Sequence, residues 1–350
     1  MKLLIATDAW RPQVNGVVRT LERTGEELTR LGVEVAMLTP GEFRTWPMPT
    51  YPEIRLARAM PGTIGAVAAA MRPDAVHIAT EGPIGYSVRR WCLSSGRPFT
   101  TSFHTRFPEY LSARAPIPQR WSYAVLRRFH NAGRACMVAT ESLRRELAAR
   151  GFEHLVPWTR GVDATLFRPR VGAPALDLPG PIFLFVGRVA VEKNIGAFLA
   201  LDLPGSKVVV GDGPALASLK ETYPDAHFLG MRTGEALAEV YAAADVFVFP
   251  SRTDTFGIVL LEALAAGVPV AAYPVPGPAD VVGGTDVGVL SEDLRAAALA
   301  ALDIPRERCR AFALSRSWEA SARQFLDNVI AANALGDDAV PQRVAQVAAR

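Results

Sequence analysis

A short loop in the second half of the chain places two cations within six residues of each other. Arg188 and Lys193 lie in the segment GRVAVEKN, between the apolar run PIFLFV and a helix-like stretch. Only four of the 38 basic residues are lysines, so a lysine at this position is notable. Arginine presents a fork of donors and lysine a point charge, and the two together can neutralise a diphosphate. A surface ion pair between Lys193 and Glu192 is an equally good interpretation of the pattern.

An acidic residue lies in the middle of a segment that is otherwise apolar. Residues 256–267 are apolar nearly all round, which is typical of a buried helix, yet they include Glu262. A buried carboxylate is costly without a partner, and ribose hydroxyls could donate hydrogen bonds to it. Asp254 comes eight positions earlier, close to two helical turns, so both carboxylates could line one elongated ligand. Alternatively, Asp254 caps the helix and Glu262 pairs with a neighbouring arginine.

Glycines mark two further loops where a backbone could approach a ligand closely. Gly211 and Gly213 flank Asp212 in a strand-to-helix loop, which could equally be an ordinary turn. Gly16 lies in the segment PQVNGV just before the first helix, where backbone amides could meet phosphate oxygens.

Polar side chains also follow two apolar runs of the first half. The run RPFTTSF leads into His104 and Arg106, and the run DAVHIAT leads into Glu81. A lone histidine is more often structural than catalytic. Glu81 and Arg106 are candidates for contacting an acceptor, although Glu81 could simply turn the chain.

The elements that must position these residues alternate short apolar runs with helix-like stretches, which predicts parallel βαβ units. The strand candidates are residues 2–7, 33–40, 74–80, 97–103, 135–140, 181–187, 207–213, 226–230, 245–251 and 268–274. Ligands of open parallel sheets bind beyond the carboxyl ends of the strands. The sequence therefore predicts an α/β protein of two Rossmann-like, doubly wound domains that face each other across a cleft.

The length of 350 residues exceeds what one hydrophobic core usually organises. We predict an N-terminal domain at 1–165, a linker rich in proline and glycine at 166–180, and a C-terminal domain at 181–312. A helix at 313–332 is a candidate to return to the N-terminal domain, and a tail follows at 333–350. The three cysteines have no metal-ligand spacing and are expected to be buried.

Charge is distributed unevenly along the chain. Residues 1–160 contain 22 basic and 13 acidic side chains, whereas the remainder contains 16 and 22. The densest basic stretch runs from Arg114 to Arg150 and includes aromatic residues such as Trp121. This stretch could lie on an anionic membrane surface or form a solvated helix face. No apolar run reaches the ~20 residues of a membrane span and no signal-peptide pattern is present, so we expect a cytoplasmic protein, with the inner face of the membrane as a peripheral site and no nucleic-acid partner.

Together, five segments resemble the family 4 retaining glycosyltransferases of the GT-B fold. They are GR-x4-KN (187–194), GDGP (211–214), PSRTDTFGIVLLEALAAGVPV (250–270), PQVNGV (12–17) and SFHTRFPEY (102–110). The resemblance covers roughly residues 2–330. Within the family, the chain is most similar to the bacterial GDP-mannose-dependent α-mannosyltransferases and to related glycolipid synthases.

The resemblance implies a role for each matching residue of the donor half. Arg188 and Lys193 would hold the donor diphosphate, and Glu262 would bind the ribose. The transferred sugar and its phosphate would contact Asp254 and the amides of Phe256, Gly257 and Ile258. Gly211 would belong to the donor site, and backbone groups from Gly230 to Thr233 would recognise the base. The family usually has glutamate where this chain has Asp254, so the geometry at the donor sugar is expected to differ.

In the first half, the resemblance implies that Gly16 lets the domain close on the diphosphate and that His104 touches the sugar near the reacting carbon. The implied reaction moves a hexose from a sugar nucleotide to a lipid or glycan acceptor, with mannose from GDP-mannose as the best guess. The leaving phosphate would take the acceptor proton, without a metal or cofactor, and the chain contains no Asp-x-Asp motif. A UDP-glucose or UDP-glucuronate donor remains open. So do a UDP-sugar epimerase and a non-catalytic sugar-nucleotide-binding module.

Overall fold

The computed structural model describes residues 1–13, 15–48, 51–112, 118–170 and 176–333. The chain forms two compact units. The first comprises Met1–Thr159 together with the residues from Trp318 onward, and the second comprises Arg160–Ser317. Each unit contains a six-stranded parallel sheet with helices between its strands. The predicted α/β class with two Rossmann-like units is therefore confirmed.

The first unit contains eight strands in its described residues. They are β1 (Lys2–Ala6), β2 (Glu34–Leu38), β3 (Thr45–Met48), β4 (Tyr51–Ala57), β5 (Ala75–Ile78), β6 (Thr100–Phe103), β7 (Ala135–Val138) and β8 (Leu155–Pro157). The parallel sheet has the order β2-β1-β5-β6-β7-β8, and β3 and β4 form a separate antiparallel hairpin. The connecting helices are α1 (Gly16–Arg30), α2 (Pro61–Ala70), α3 (Pro83–Ser94), α4 (Phe107–Ser112), α5 (Gln119–His130) and α6 (Glu141–Ala149).

Helices cover both faces of this sheet because successive strand residues point to opposite sides. Leu3 packs in a cluster with Leu21 of α1, whereas Leu4 packs in a different cluster with Ile84 of α3. Each of these strand side chains is fully buried. The sequence of a strand that is buried on both faces is a continuous apolar run, which is why the sequence predicted β1 so clearly.

The second unit repeats the architecture. Its strands are β9 (Ile182–Val186), β10 (Ser206–Val210), β11 (His227–Gly230), β12 (Val246–Phe249), β13 (Val270–Ala272) and β14 (Gly288–Leu290), in the order β11-β10-β9-β12-β13-β14. Its helices are α7 (Ile195–Leu199), α8 (Leu216–Thr222), α9 (Gly234–Ala243), α10 (Ile258–Ala265), α11 (Pro278–Val282), α12 (Leu294–Ala301) and α13 (Arg306–Leu314).

The last described helix, α14 (Trp318–Asn333), belongs to the first unit. Phe325 of this helix is fully buried in the cluster that contains Leu3. The indole Nε1 of Trp158, just after β8, donates to Ser321 Oγ at 3.2 Å. These contacts supply the apolar cover that one face of the first sheet needs.

The second unit spans Arg160–Ser317, whereas the predicted C-terminal domain spans 181–312. The segment after Arg160 lies in the second unit, where Arg310 donates to the carbonyl oxygens of Phe167 and Ala164 at 2.8 Å. The predicted boundary at 165 and linker at 166–180 miss this anchoring, because nothing in their composition indicates a distant arginine. Residues 171–175 and 334–350 lie outside the described residues.

Candidate functional site

Two loops of the second unit lie side by side at the carboxyl edge of its sheet. Strands β9 and β12 are parallel neighbours, with Leu184 opposite Phe247. The loop after β9 contains Arg188 and Lys193, and the loop after β12 contains Asp254. Sheet topology therefore brings together segments that are about 60 residues apart in the sequence.

The two loops are joined by an ion pair. Lys193 Nζ lies 2.5 Å from Asp254 Oδ1, and both side chains are more than four-fifths buried. The sequence pattern did not indicate Asp254 as a partner of Lys193, and a surface ion pair between Lys193 and Glu192 stays an interpretation of that pattern. Asp254 Oδ2 is buried and has no hydrogen-bond partner among the described residues, and the same holds for Ser251 Oγ. Buried polar atoms left unbonded are costly, so these two are suited to receive a ligand's hydroxyl groups.

Asp254 does not lie on the helix that carries Glu262, which corrects both interpretations of their spacing. Helix α10 begins at Ile258, and its N-cap is Gly257, whose φ of 85° favours glycine. Asp254 is therefore in the preceding loop, where Lys193 holds it, and it does not cap the helix. The start of α10 leaves backbone amides without intrahelical acceptors, including that of Ile258.

Glu262 is buried in the middle of α10, as the apolar pattern predicted, and is 1% exposed. Its Oε2 accepts a hydrogen bond from the hydroxyl of Tyr241 at 3.1 Å. Tyr241 lies on α9 and is itself fully buried. Sequence reasoning missed this tyrosine. The only available signal was a phenol group within an apolar helix, since a buried hydroxyl needs a partner.

The glycine loops of the second unit lie against one another through their backbones. A Cβ on Gly211 would lie 1.8 Å from the carbonyl oxygen of Gly187, so no side chain can be accommodated there. Gly211 N donates to Gly230 O at 2.9 Å, and Val189 N donates to the Asp212 carbonyl at 2.9 Å. Arg188 is half-buried, and backbone contacts hold the residues before and after it, Gly187 and Val189, in place.

In the first unit, His104 follows β6 and contacts an aromatic residue that sequence reasoning missed. The His104 ring meets Trp158 edge to face, with ring centroids 5.5 Å apart. Trp158 is fully buried and bonded to Ser321 of α14. Trp158 therefore fixes the orientation of His104 through packing.

Glu81 forms an ion pair inside the first unit. His130 Nε2 lies 3.0 Å from Glu81 Oε1, and His130 Nδ1 lies 2.9 Å from Thr101 Oγ1. Burial disfavours the charged imidazole, but Cys136 and the Glu81 carboxylate outweigh this and raise the pKa of His130 to about 10. Contact between Glu81 and an acceptor stays a prediction.

Arg106 is also held by internal ion pairs. Its Nη1 lies 2.8 Å from Glu146 Oε2 and 3.7 Å from Glu109 Oε1, and Tyr123 donates to the same Glu109 oxygen at 2.7 Å. This network links α4, α5 and α6 and accounts for a buried arginine without a ligand. An acceptor role for Arg106 stays a prediction.

Gly16 is the first residue of α1, as the segment PQVNGV suggested. The Asn15 side chain caps this helix, and its Oδ1 accepts from the amides of Val17 and Val18 at 3.0 Å. Two of the amides expected to meet phosphate oxygens are therefore already bonded. Closure of this loop on a diphosphate stays a prediction.

Family models match both halves of the chain. The model described as Glycosyltransferase Family 4 matches residues 14–166, and the model described as Glycosyl transferases group 1 matches residues 180–304. A GDP-mannose-dependent alpha-mannosyltransferase of Mycobacterium tuberculosis is 30% identical, over 93% of this chain and 95% of that protein. The chain belongs to glycosyltransferase family 4.

Two further proteins extend the comparison. A sulfoquinovosyl transferase of Arabidopsis thaliana is 28% identical, over 77% of this glycosyltransferase and 58% of the plant protein. The solved structure of sucrose-phosphate synthase from Thermosynechococcus elongatus superposes with a TM-score of 0.74 at 22% identity, covering 93% and 97% of the two chains. The structural likeness confirms the predicted GT-B fold. The family and its curated members identify this glycosyltransferase as an enzyme of the hexosyltransferase class.

Asn194 links the loop after β9 to the loop after β12 and supports a first prediction. Its φ of 52° is left-handed, and its Nδ2 donates to the carbonyl oxygen of Pro250 at 3.1 Å. Asn194→Gly keeps the backbone conformation and removes this bond, so we expect kcat/KM for donor hydrolysis to fall about 5- to 10-fold. Asn194→Ala should show the same loss and also lower the free energy of unfolding by about 1 kcal/mol. Unchanged kcat/KM in both variants would show that the link does not position Lys193.

Asp8 supports a prediction about pH. Its carboxylate accepts hydrogen bonds from the amides of Ile84 and Gly85 at the start of α3. Burial nevertheless raises the pKa of Asp8 from 3.8 to about 6, and nearby Glu81 adds to the effect. The folded glycosyltransferase therefore binds an extra proton between about pH 4 and 6.

The contribution of Asp8 to the free energy of unfolding should therefore fall as pH rises through this window, by at most roughly 3 kcal/mol. Asp8→Asn removes the titration and keeps the shape. Urea denaturation at several pH values should give a flatter dependence between pH 4 and 6 for the variant. Parallel curves for the two proteins would contradict the assignment.

Proposed function

We propose that the glycosyltransferase transfers a hexose from a nucleoside-diphosphate sugar to a lipid or glycan acceptor, with retention of the anomeric configuration. The contact between Lys193 and Asp254 carries this proposal. It sets a cation suited to phosphate beside a carboxylate whose second oxygen is buried and has no hydrogen-bond partner among the described residues, as a contact with a sugar hydroxyl would provide. A sugar diphosphate carries phosphate charge and sugar hydroxyls close together, and these two groups match that arrangement.

The proposed step breaks the bond between the anomeric carbon and the leaving phosphate oxygen, and forms a bond to the acceptor oxygen on the same face. The leaving phosphate takes the acceptor proton. Negative charge grows on the diphosphate as the bond breaks, and positive groups already fixed there lower the barrier. Lys193 and Arg188 supply this charge, and we propose that no metal ion is needed.

Other residues complete the proposed donor site. Glu262 would accept hydrogen bonds from ribose hydroxyls, with Tyr241 fixing the carboxylate. The amides of Phe256, Gly257 and Ile258 would meet the phosphate at the start of α10, because a helix N-terminus favours an anion. In the first unit, His104 would contact the sugar near the reacting carbon.

Mannose from GDP-mannose is the donor we propose first, because the relative that aligns over 93% of this chain at 30% identity is named for it. A different donor sugar, such as that of UDP-glucose or UDP-glucuronate, is the second candidate. The sulfoquinovosyl transferase among the relatives supports it, since that protein transfers another sugar by its name.

We further propose that the enzyme works in the cytoplasm, at the inner face of the cell membrane. Within the described ranges, no helix is both long and apolar enough to cross a bilayer. Helix α5 supports peripheral contact through Trp121 and Val125, which are 62% and 56% exposed beside the exposed Arg120 and Arg128. Arg145 of the basic stretch forms a surface ion pair with Glu141 of the same helix, and Arg114 lies outside the described residues.

Thermal shift with a panel of donors tests the proposal, since a ligand that binds the folded state raises the melting temperature. The panel is GDP-mannose, UDP-glucose, UDP-glucuronate and UDP-N-acetylglucosamine. The stabilising donor should then be hydrolysed slowly to its nucleoside diphosphate, equally well with and without EDTA. Interconversion of sugar nucleotides would indicate an epimerase, binding without turnover a non-catalytic module, and EDTA inhibition a metal-dependent reaction.

A further inference from the structure

The hairpin of β3 and β4 presents an exposed face that the proposed donor chemistry does not use. Its inner face includes Ala57, which is buried in a cluster with Ile84 of α3, so the hairpin is anchored to the first unit. Its outer face carries Trp46, opposite Leu56 in the register. Trp46 is 57% exposed, although burying an indole is normally favourable.

Two arginines extend this outer face. Arg58 N donates to Arg44 O at 2.6 Å, which makes the two residues direct cross-strand neighbours, and both side chains are exposed. Alternation along the strand places Arg44 on the side of Trp46. Within the described part of the chain, neither arginine has an ion-pair partner. Like charges directly opposite each other destabilise a hairpin, so this pair gives the fold no benefit.

The hairpin is placed where an acceptor could be bound. It follows β2, whose carboxyl end shares a sheet edge with those of β5 and β6. Glu81 and His104 follow those two strands. The hairpin therefore follows the same sheet edge from which the loops with Glu81 and His104 extend.

Apolar surface continues from the hairpin. Met60 is 76% exposed two residues after Arg58. The next residue, Pro61, lines an open groove of about 600 Å³ together with Tyr86 and Leu93. Arginines also line this groove and no acidic residue does.

We propose that the outer hairpin face, defined by Arg44, Trp46 and Arg58, binds the anionic headgroup of a membrane lipid. The phosphate lies between the two arginines and removes their repulsion, while the apolar part covers Trp46 and extends toward Met60. A free phosphate would neutralise the charge and leave the indole in water, which is why we assign a lipid. Binding of the lipid at the hairpin is independent of the proposed function, and only the statement that this lipid is the acceptor rests on it.

Binding to vesicles of phosphatidylglycerol, measured by sedimentation, tests the proposal. Replacing both arginines by glutamine should weaken binding about 10- to 30-fold, because each arginine near an anionic surface contributes roughly a factor of five. A control with the same loss of charge, Lys220→Gln with Arg308→Gln in the second unit, should bind like the wild type. Trp46→Ala should weaken binding to the same vesicles, and phosphatidylcholine vesicles should bind none of these proteins well.

Equal binding by the arginine variant and its control would overturn the proposal. So would full displacement of the vesicles by millimolar inorganic phosphate at constant ionic strength, which would indicate a free-phosphate site. Donor hydrolysis without acceptor should be the same in all variants, which also shows that they are folded. If the wild type hydrolyses no donor, the proposed function is wrong. The vesicle measurements would still show whether the outer hairpin face binds an anionic lipid.

Discussion

Lys193→Met should lower kcat for donor turnover about 10²- to 10³-fold. The lysine is held in position by Asp254 at 2.5 Å and is largely buried, so its charge is fixed before the reaction begins. Removing one preorganised group that stabilises developing charge typically has an effect of this size. Release of nucleoside diphosphate from the donor measures the change.

Lys220→Met is the matched control for this prediction. Lys220 is exposed on α8, and its removal changes the net charge by the same amount. Its kcat should stay within a factor of two of the wild type. If Lys193→Met also retained kcat within a few fold, the assignment of this lysine to the diphosphate would be wrong.

Glu262→Gln should weaken binding of the free nucleoside diphosphate about 10- to 100-fold. A hydrogen bond to a charged group contributes about 1.5–3 kcal/mol, and the amide keeps the volume of the side chain without its charge. Isothermal titration with GDP or UDP, whichever binds, gives the dissociation constant directly. The ligand-free melting temperature should change little, because a neutral amide is less costly to bury than a carboxylate.

The variant Tyr241→Phe tests the hydrogen bond that orients the Glu262 carboxylate separately from the carboxylate itself. It removes the hydroxyl that donates to Glu262 Oε2 and keeps the aromatic packing. We expect a smaller loss of nucleotide affinity, about fivefold, from a less well fixed carboxylate. If the Glu262→Gln variant bound nucleotide as tightly as the wild type, the proposed contact between Glu262 and the ribose would be wrong.

The parallel strands could be predicted from sequence because they are buried on both faces. All ten predicted strands are present, each shorter than its apolar run. The missed elements have other patterns. Hairpin strands β3 and β4 contain prolines and an exposed tryptophan, and β8 and β14 are edge strands of three residues. Short edge strands are only partly buried, so they leave little apolar signal.

The sequence indicated individual residues of the candidate site, but it did not predict the contacts between them. The rarity of lysine singled out Lys193, and the apolar surroundings of Glu262 predicted its burial, which the structure confirms. The spacing of Asp254 and Glu262 suggested one helical face, whereas Gly257 begins the helix after Asp254. The pairing of Lys193 with Asp254 depends on the adjacency of β9 and β12, and strand order is a tertiary property that local patterns do not carry.

The return of α14 to the first unit has a consequence for biosynthesis. A ribosome completes every residue of the second unit, Arg160–Ser317, before it reaches Trp318. Until then, the face of the first sheet that Phe325 and Leu326 cover lies open to water. Domains made in sequence usually mature from the N-terminus, but here the later one can be finished first. The nascent polypeptide therefore carries an uncovered apolar surface throughout synthesis of the second unit, Arg160–Ser317, and such surface promotes aggregation until α14 is made.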